Sequence, residues 1–519
     1  MEQRQDTTLT YLWTALGALW LSVFPLWQGG TYSSITKAKW QGTLLFTAIT
    51  LGAVVFAVIY SLRKYRRLPF RLHGGHLIAA VLFLLMGVSA LFGAYAGQVN
   101  KNGELCVWMG SLRYEGMATQ LCYFGIFLMM SLHPLRRDWL MHLCALSLIL
   151  QCAVVAGQYL DLNPLGLFPT GLSTRTNYEF QGTIGNIDMV SGYLSLMLPL
   201  LLGSFATAER GGWLWLVGGT LGVWWMLCMT VQSGVLALGV FGVMLLAGML
   251  WKPELRARGC MVLGCMLLCY PMRKALAFPW LDGVEDVAIV SPGMLGFAAL
   301  AVSLMIIFLG IRLLRPHKPL FTLTGRQVLL LLAGMMILCI VVLLLLPLTE
   351  EDGGLWEIRE TLLGRGQDSF GSYRLGVWRQ TLAMAKEHLL LGNGPDTFWF
   401  AFNNYLKEVG VSFPETFDNP HNEYLALLAN DGLPAMICYL ILLFFTLRRC
   451  RKEPIKWALL AALTAYAVQG AFSFSIAIVA PMFWACMGMG NSRGLSGRPL
   501  DSFGCTPLKG HCSLSFILH

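Results

Sequence analysis

Long apolar stretches recur along the whole chain, and they limit it to folds that cross a membrane. A helix needs about 20 consecutive apolar residues to span a bilayer. Only 13% of the 519 residues are charged, whereas soluble domains carry about 25%. The sequence therefore predicts an all-α, polytopic transmembrane helical bundle with about 12–14 spans. The candidate spans are residues 9–27, 42–62, 76–97, 117–132, 139–159, 187–205, 213–229, 233–250, 259–278, 292–314, 327–348, 433–447, 457–474 and 476–490.

Cysteine usage argues against disulfides and against a metal site. Most of the 14 cysteines fall inside the apolar stretches, where a free cysteine packs as a small apolar residue. The sequence contains neither a CxxC nor an HExxH motif, which are the usual signatures of metal binding. No metal and no cofactor are therefore predicted.

Basic residues alternate between loops and so predict an orientation. Cytoplasmic loops of membrane proteins are enriched in lysine and arginine. Alternate loops here, among them "RKYRRLPFR" (63–71) and "RRCRKEPIK" (448–456), hold most of the 37 basic residues. The net charge of +9 thus reports topology rather than nucleic-acid binding. We expect a multi-pass membrane protein with both termini cytoplasmic. The first apolar stretch lacks a small-residue cleavage site and is expected to be retained as a helix.

One predicted outer loop is far longer than a connection requires. Residues 349–432 are expected to form a helical extracytoplasmic loop, and only His388 and His421 of the 9 histidines fall on the outer side. His388 ends a predicted helix, where a positive charge is electrostatically favourable, so we assign it a structural role. The chain divides into N-terminal transmembrane helices (1–159), central transmembrane helices (160–348), this loop, C-terminal transmembrane helices (433–490) and a cytoplasmic tail (491–519).

The first part of the long loop predicts an amphipathic helix that carries an arginine. The segment "SYRLGVWRQTLAMAKEH" (372–388) has apolar residues at helical spacing, and Ser372 is predicted as the N-cap. Arg374 and Trp378 are four residues apart and therefore share one face. A planar guanidinium can donate two hydrogen bonds at once to a phosphate. The turn "GNGP" (392–395) then ends the helix.

The last part of the long loop predicts a helix that begins beside a histidine. In "NPHNEYLALLAN" (419–430), Asn419 suits the N-cap and Pro420 the first helical position. His421 and Asn422 would then lie in the first turn, where free N–H groups and the helix dipole favour an anion and disfavour imidazolium. A neutral imidazole can accept a proton from a hydroxyl. Spacing alone leaves open that Arg374 is a surface residue and His421 a polar capping group.

These segments, in this order, resemble the O-antigen ligase/polymerase superfamily of bacterial membrane glycosyltransferases, and its clostridial-type members in particular. The R-x-x-x-W segment, the glycine turn and the H-N-x-Y segment are similar to the long outer loop of that family. The resemblance covers roughly residues 160–490. Three further stretches that resemble the family are "GTIGNIDMVSGYLSLMLPLLL" (182–202), "TVQSGVLAL" (230–238) and "FSFSIAIVAPMFWACMG" (472–488).

The resemblance implies a GT-C-like, metal-independent enzyme that works at the outer face of the plasma (inner) membrane. Such an enzyme transfers a glycan from a polyprenyl-diphosphate-linked donor to a hydroxyl of a glycan, lipid or protein acceptor. By position in the motifs, Arg374 would bind the diphosphate leaving group, and His421 would activate the acceptor or hold the phosphates. A preorganised arginine stabilises charge that develops on a leaving group. The motifs assign further substrate contacts to Asn186, Asn422, Tyr424, Gly392 and Gly394.

The chain departs from the family pattern at two positions. Ser233 stands where the T-x-S-R segment has its arginine, so one phosphate ligand is missing. Arg175 and Arg379 are the candidate substitutes in substrate binding. Asp188 replaces the second asparagine of the G-N-x-N segment, and we favour a helix cap over a functional group there.

A transporter or flippase for a polysaccharide or lipid is the alternative function. Transporters place ionisable residues near the middle of the bilayer, whereas the predicted spans are almost free of them, with His142 the clearest exception. No inverted repeat is visible. A metal-dependent transferase would need outer carboxylates such as those of "TEEDGG" (349–354) or "DGVED" (282–286), but acidic runs of this kind are usually solvated.

Overall fold

The computed structural model describes residues 7–66, 68, 72–160, 162–169, 180–229, 231–275, 292–313, 323–350, 353–452 and 456–492. Within these ranges the chain is helical, and the β-pairing is one isolated bridge between Val99 and Leu105. Eight helices are long and apolar enough to cross a membrane, and four further apolar helices are shorter. The prediction of an all-α polytopic bundle is therefore confirmed. The acidic run at 282–286 and the candidate Arg175 lie outside the described residues.

A helix lies at each of the predicted spans, a short helix (Cys106–Met109) precedes the fourth of them, and three more helices lie in the segment predicted as the long outer loop. In chain order the helices are α1 (Thr7–Leu26), α2 (Ile35–Tyr65), α3 (Gly74–Phe92), α4 (Cys106–Met109), α5 (Met117–Ser131), α6 (Arg137–Tyr159), α7 (Ile187–Ala206), α8 (Trp213–Cys228), α9 (Gln232–Trp251), α10 (Arg256–Ala275), α11 (Pro292–Leu313), α12 (Gly325–Leu345), α13 (Gly354–Leu362), α14 (Arg374–Ala385), α15 (Phe398–Val409), α16 (Glu423–Lys452), α17 (Trp457–Gly470) and α18 (Ala480–Asn491).

The helix α7 forms the centre of the bundle. Its apolar window is buried throughout, and it packs against α6, α8, α9, α10 and α17. A helix that is apolar all round its circumference is expected in such a position. The N-terminus of α7 is thereby held in place by neighbours on every side.

The helix α16 connects the long outer loop to the C-terminal spans and is broken at Gly432. The backbone of Gly432 has φ 83° and ψ 171°, which are not helical. The glycine turn that follows α14 packs against this break: the Gly394 N–H donates to the Asn430 carbonyl at 2.7 Å, and the Leu433 N–H donates to the Leu389 carbonyl at 2.8 Å. These bonds pair backbone groups that a broken helix would otherwise leave free.

The predicted N-cap of α14 is wrong. The chain enters α14 through Gly371, Ser372 and Tyr373, all of which have positive φ. The Tyr373 N–H donates to the Ser369 carbonyl and the Arg374 N–H donates to the Gly371 carbonyl, and Tyr373 occupies the cap position without a side-chain hydrogen bond. A left-handed turn closed by backbone bonds therefore replaces the serine cap.

The predicted start of α16 is also wrong, by three residues. The Asn422 side chain, rather than that of Asn419, accepts hydrogen bonds from the N–H groups of Tyr424 and Leu425, at 3.1 and 3.0 Å. The Asn419 side chain instead accepts the N–H of His421 at 2.9 Å. His421 thus lies just before the helix rather than in its first turn.

Two membrane-length helices extend beyond the predicted spans and carry ionisable residues there. Lys39 lies in α2 before the apolar stretch 42–62, and Glu423 and Asp431 lie in α16 before the apolar stretch 433–447. The buried ammonium of Lys39 donates to the carbonyls of Phe24 and Pro25. The predicted spans themselves remain almost free of ionisable residues.

The close contact between the glycine turn and the break of α16 predicts that one added methyl group at Gly392 destabilises the fold strongly. Gly392 has φ +67°, and a Cβ there would lie 2.3 Å from the Asn430 carbonyl oxygen. We expect Gly392→Ala to lower the melting temperature of the purified protein well beyond the effect of Gly410→Ala. Gly410 has nearly the same φ, +69°, but faces open space, so its substitution costs only the left-handed backbone penalty of about 1 kcal/mol. Equal melting temperatures would contradict this packing contact.

Candidate functional site

His421 presents an unpaired ring nitrogen in a mostly enclosed setting. Its backbone has φ 49° and is held by the hydrogen bond to Asn419. Its ring meets Phe474 edge to face at 5.1 Å and Phe417 at 6.4 Å. Its Nδ1 is buried and has no hydrogen-bond partner among the described residues. A left-handed backbone at a non-glycine residue is costly and is often found at functional sites.

The electrostatic surroundings of His421 favour the neutral ring. Burial lowers the pKa of His421, and the cationic Arg374 and Arg113 lower it further, while the carboxylates of Asp188 and Asp418 act in the opposite direction. An imidazole with a depressed pKa is neutral near pH 7 and can accept a proton. Neutrality was predicted from the helix dipole; in the structure its main cause is burial.

Arg374 is held at the start of α14 with its guanidinium uncommitted. The side chain is half-buried and forms no ion pair with any residue that the structure describes. A free guanidinium in a partly buried position is suited to an incoming anion.

Trp378 explains how Arg374 comes near His421. Its indole N–H donates to the Pro420 carbonyl at 2.8 Å, and its ring packs against Phe472 at 6.0 Å. Since Trp378 lies one helical turn after Arg374, this bond fastens the arginine-bearing face of α14 to the segment that carries the histidine. The four-residue spacing of the R-x-x-x-W segment therefore has a direct structural role.

Arg113 belongs to the same site and was missed by the sequence analysis. Its guanidinium pairs with Asp418 through two bonds, Nε to Oδ2 at 2.7 Å and a second nitrogen to Oδ1 at 3.0 Å. It also lies over the Phe474 ring, 4.4 Å from the centroid. The available signal was that Arg113 is the only arginine of the outer loop 98–116.

The N-terminus of α7 contributes an asparagine cap and a carboxylate. The Asn186 side chain accepts hydrogen bonds from the N–H groups of Asp188 and Met189, at 2.9 and 3.2 Å. Asn186 is therefore the cap, and the preference for Asp188 as a cap is wrong. The charge of Asp188 is close enough to influence His421, so the structure brings Asp188 to the site.

The other predicted substrate-binding residues have structural partners. Arg379 pairs with Asp368 and also donates to the Gly366 carbonyl, with half of its side chain exposed. The Tyr424 hydroxyl donates to the Ala467 carbonyl at 2.6 Å, and Asn422 caps α16. Gly392 and Gly394 belong to the turn that packs on the α16 break. Their roles in substrate binding stay predictions.

Ser233 occupies a neutral, buried environment. Its hydroxyl lies 3.2 Å from that of Ser191, which accepts a hydrogen bond from the Gln469 side chain at 3.2 Å. These three neutral groups pair with one another where the family pattern has an arginine. The charge missing at Ser233 is not supplied by its immediate partners.

Eight helices that are long and apolar enough to cross a membrane define a class: an all-α, polytopic membrane protein. Residues 290–440 match the family model described as O-antigen ligase. The match includes Arg374, Trp378 and His421 and supports membership of the O-antigen ligase superfamily. It confirms the resemblance of the motifs in the long loop. No curated protein matches the chain.

The depressed pKa of His421 predicts a specific pH dependence of stability. The unfolded chain takes up a proton near the ordinary histidine pKa of 6.5, whereas the folded chain does so only at lower pH. Stability is therefore lost as the pH falls through about 6.5 towards the folded pKa. We expect the melting temperature to fall less in His421→Gln than in the wild type between about pH 7.5 and about pH 5.5.

Two further variants test whether the fall in melting temperature with pH is due to His421. Arg374→Ala removes a cation that opposes protonation of His421, so it should also reduce the fall. His388→Gln changes an exposed histidine of the same loop and should behave like the wild type. An identical fall in His421→Gln and the wild type would contradict the buried neutral imidazole.

Proposed function

We propose that the protein is a glycosyltransferase of the O-antigen ligase or polysaccharide polymerase type. It transfers a glycan from a polyprenyl-diphosphate-linked donor to an acceptor hydroxyl. The observation that carries this proposal is the buried, unpartnered Nδ1 of His421 under the electrostatic influence of the uncommitted Arg374. The family match, which includes both residues, supports it.

In the proposed reaction the two residues act on opposite partners. Arg374 binds the diphosphate and stabilises the negative charge that develops as the bond from the sugar anomeric carbon to the phosphate oxygen breaks. The acceptor oxygen forms the new bond to that carbon, and its proton passes to Nδ1 of His421. This step requires the other ring proton on Nε2. No metal ion enters the scheme.

Arg113 and Asp418 act as positioning residues in this proposal. Their paired charges lie beside Phe474, which packs on the His421 ring. Because Arg113 is already neutralised by Asp418, it has less charge to offer a diphosphate than Arg374. The second phosphate contact is assigned to Arg175 or Arg379, the two substitutes for the family arginine at Ser233. Arg379 pairs with Asp368, so it would have to exchange this carboxylate for the phosphate.

The site is proposed to face the outside of the plasma membrane, with both termini cytoplasmic. The distribution of basic residues supports this orientation. We expect a periplasmic-type alkaline phosphatase reporter to be active when fused after residue 410 and inactive when fused after residue 452. Reporter activity in the reverse order would invert the orientation and place the site in the cytoplasm.

A transporter is a second candidate because Asp431 is buried and Glu423 half-buried in the first half of α16, a helix long enough to span. Buried ionisable residues in membrane helices are typical of coupling sites. The two functions differ in whether a covalent product forms. A transporter moves the lipid-linked glycan unchanged, whereas a transferase releases the polyprenyl diphosphate.

The proposed roles predict a loss of transfer that is specific to two residues. Arg374→Ala and His421→Ala should each lower transfer at least about tenfold, because a charge-assisted hydrogen bond contributes about 1.5–3 kcal/mol. The measurement is release of polyprenyl diphosphate by the purified protein in lipid, with and without EDTA. We expect EDTA to have no effect.

Arg365→Ala is the matched control, since Arg365 is an exposed arginine of the same loop that pairs with Glu360. It should retain transfer. Full activity of Arg374→Ala would remove the assigned role, and loss of activity in EDTA would exclude a metal-independent reaction. Arg175→Ala and Arg379→Ala then show which arginine supplies the second phosphate contact.

A further inference from the structure

A cavity extends from the candidate site into the helical bundle. Its outer end is bordered by Arg113, Asp418 and Phe474, and its inner end by Met86 and Trp484. The cavity volume is about 130 Å³, whereas a single buried water needs roughly 10–15 Å³ on the same measure. The cavity is therefore large enough for much more than one water.

Five carboxyl groups line this cavity, and one of them, Asp418, pairs with Arg113. The other four, Glu115, Asp396, Glu423 and Asp431, form no ion pair with a basic residue within the described ranges. Burial raises the pKa of Glu115 well above its ordinary value and that of Asp396 to about 6. The cavity is thus an acidic compartment next to the cationic end of the site.

Neutral hydrogen-bond donors already hold three of the four carboxyl groups. Glu115 accepts bonds from the Tyr123 hydroxyl at 2.8 Å and the Ala477 N–H at 2.6 Å. Asp396 accepts the Ser111 N–H at 2.6 Å and the Glu115 N–H at 3.1 Å. Glu423 accepts the Tyr439 hydroxyl at 2.8 Å. Hydroxyl and amide donors suit every one of these groups.

Asp431 is the exception, because it is buried and incompletely paired. The residue is 5% exposed, and its Oδ1 has no hydrogen-bond partner in the described part of the chain. The neighbouring Asn430 also leaves its Oδ1 unpaired. Buried polar groups without partners are rare because desolvation is costly, so an unpaired acceptor facing a cavity points to a ligand that donates.

The position of Asp431 also indicates a binding site. It immediately precedes the break of α16 at Gly432. Broken helices at membrane depth occur where the backbone is buried in protein or lines a cavity, and the binding sites of many transporters lie at such breaks. The break turns the last residues of the first half of α16 towards the cavity that they line.

The chemistry of the cavity selects one class of ligand. A diphosphate fits poorly, since the one basic residue that lines the cavity, Arg113, already pairs with Asp418. Among the described residues, no cluster of three metal-ligating side chains exists. A sugar ring brings several hydroxyl donors and an apolar face, and the aromatic side chains of Tyr439, Phe474 and Trp484 supply apolar walls.

We propose that this cavity binds a sugar ring of the acceptor glycan, with Asp431 accepting one of its hydroxyl groups. The inference rests on the proposed function, because it assigns the acceptor to one end of that site. Phe474 borders the cavity and packs on His421, so a sugar bound there lies beside the proposed proton acceptor. The diphosphate then binds near the cationic Arg374, and the acceptor sugar binds in the cavity lined by carboxyl groups.

The test measures sugar binding without any transfer. The probe is methyl α-glucoside or methyl N-acetylglucosaminide, followed by saturation-transfer difference NMR on the full chain in lipid nanodiscs. Tetrahydropyran, a ring without hydroxyl groups, is the ligand control. We expect binding of at least one glycoside and none of tetrahydropyran, because a site built to bond hydroxyl groups rejects an analogue that lacks them.

The variants are Asp431→Asn and Asp431→Leu, with Asp138→Asn as the control. Asp138 lies in the first turn of α6 and pairs with Arg137. We expect the dissociation constant of the glycoside to rise about tenfold or more in both Asp431 variants and to stay unchanged in the control.

The melting temperature of Asp431→Leu should equal or exceed that of the wild type, because the substitution removes an unpaired buried carboxyl group. If neither Asp431 variant folds, Glu423→Gln supplies the same binding test.

Three results would overturn the inference: no glycoside bound by the wild type, unchanged binding in the variants, or Mn²⁺ binding that is lost in Asp431→Asn. A parallel titration with inorganic diphosphate tests the proposed function independently. It therefore distinguishes failure of the sugar-binding inference from failure of the proposed function. Loss of diphosphate binding in Arg374→Ala without any sugar binding would leave the proposed function standing. Sugar binding that depends on Asp431, without any diphosphate binding, would leave only the sugar site.

Discussion

The hydrogen bond from the Trp378 indole to the Pro420 carbonyl holds the candidate site together. It joins α14 to the segment before α16, and the two elements carry the arginine and the histidine respectively. The backbone bonds of the glycine turn join the other end of α14 to the break of α16, so Trp378 fixes the end that carries the arginine. The neighbouring contact of Trp378 with Phe472 connects the same residue to the C-terminal part of the bundle. This side chain thus helps to couple the loop to the membrane-crossing helices.

The candidate site has its arginines on the side of the long loop and its unpaired carboxyl groups in the cavity. Arg374 and the Arg113–Asp418 pair lie at the end next to the long loop, and the acidic cavity extends from there towards Met86 and Trp484. His421 lies between cationic and carboxylate neighbours, and burial rather than either set dominates its pKa. This arrangement keeps the imidazole neutral while it remains close to both kinds of charge. In the proposed reaction, that neutrality is what allows the ring to receive a proton.

Much of the fold could be predicted because hydrophobicity alone determines where a chain enters a bilayer. The pairing of Arg374 with His421 was also predictable, but from family motifs rather than from spacing. The N-cap residues of α14 and α16 were not predictable from the sequence. Asn419 and Asn422 are both good capping residues, and sequence gives no means of deciding which one forms the helix cap and which one closes a local turn. Ser372 failed as a cap because the preceding glycine and the following tyrosine adopt the left-handed conformation together.

Contacts between distant segments were beyond sequence reasoning for a physical reason. Arg113 precedes Asp418 by about 300 residues, so only the packing of α5, α16 and α18 brings them together, and no local pattern marks the pair. The acidic cavity was hidden in the same way. Glu115 and Asp396 come from loops, and Glu423 and Asp431 were placed outside a span because α16 starts earlier than hydropathy indicates.

The position of the uncommitted cation constrains how any substrate can enter. Arg374 has no ion-pair partner among the described residues, whereas the one arginine that lines the cavity, Arg113, already pairs with Asp418. A lipid diphosphate therefore gains most with its phosphates towards α14. A neutral glycan can donate its hydroxyl groups to the carboxyl oxygens of the cavity. The placement of cation and acceptor groups thus orders the two substrates of the proposed reaction, before any shape complementarity is considered.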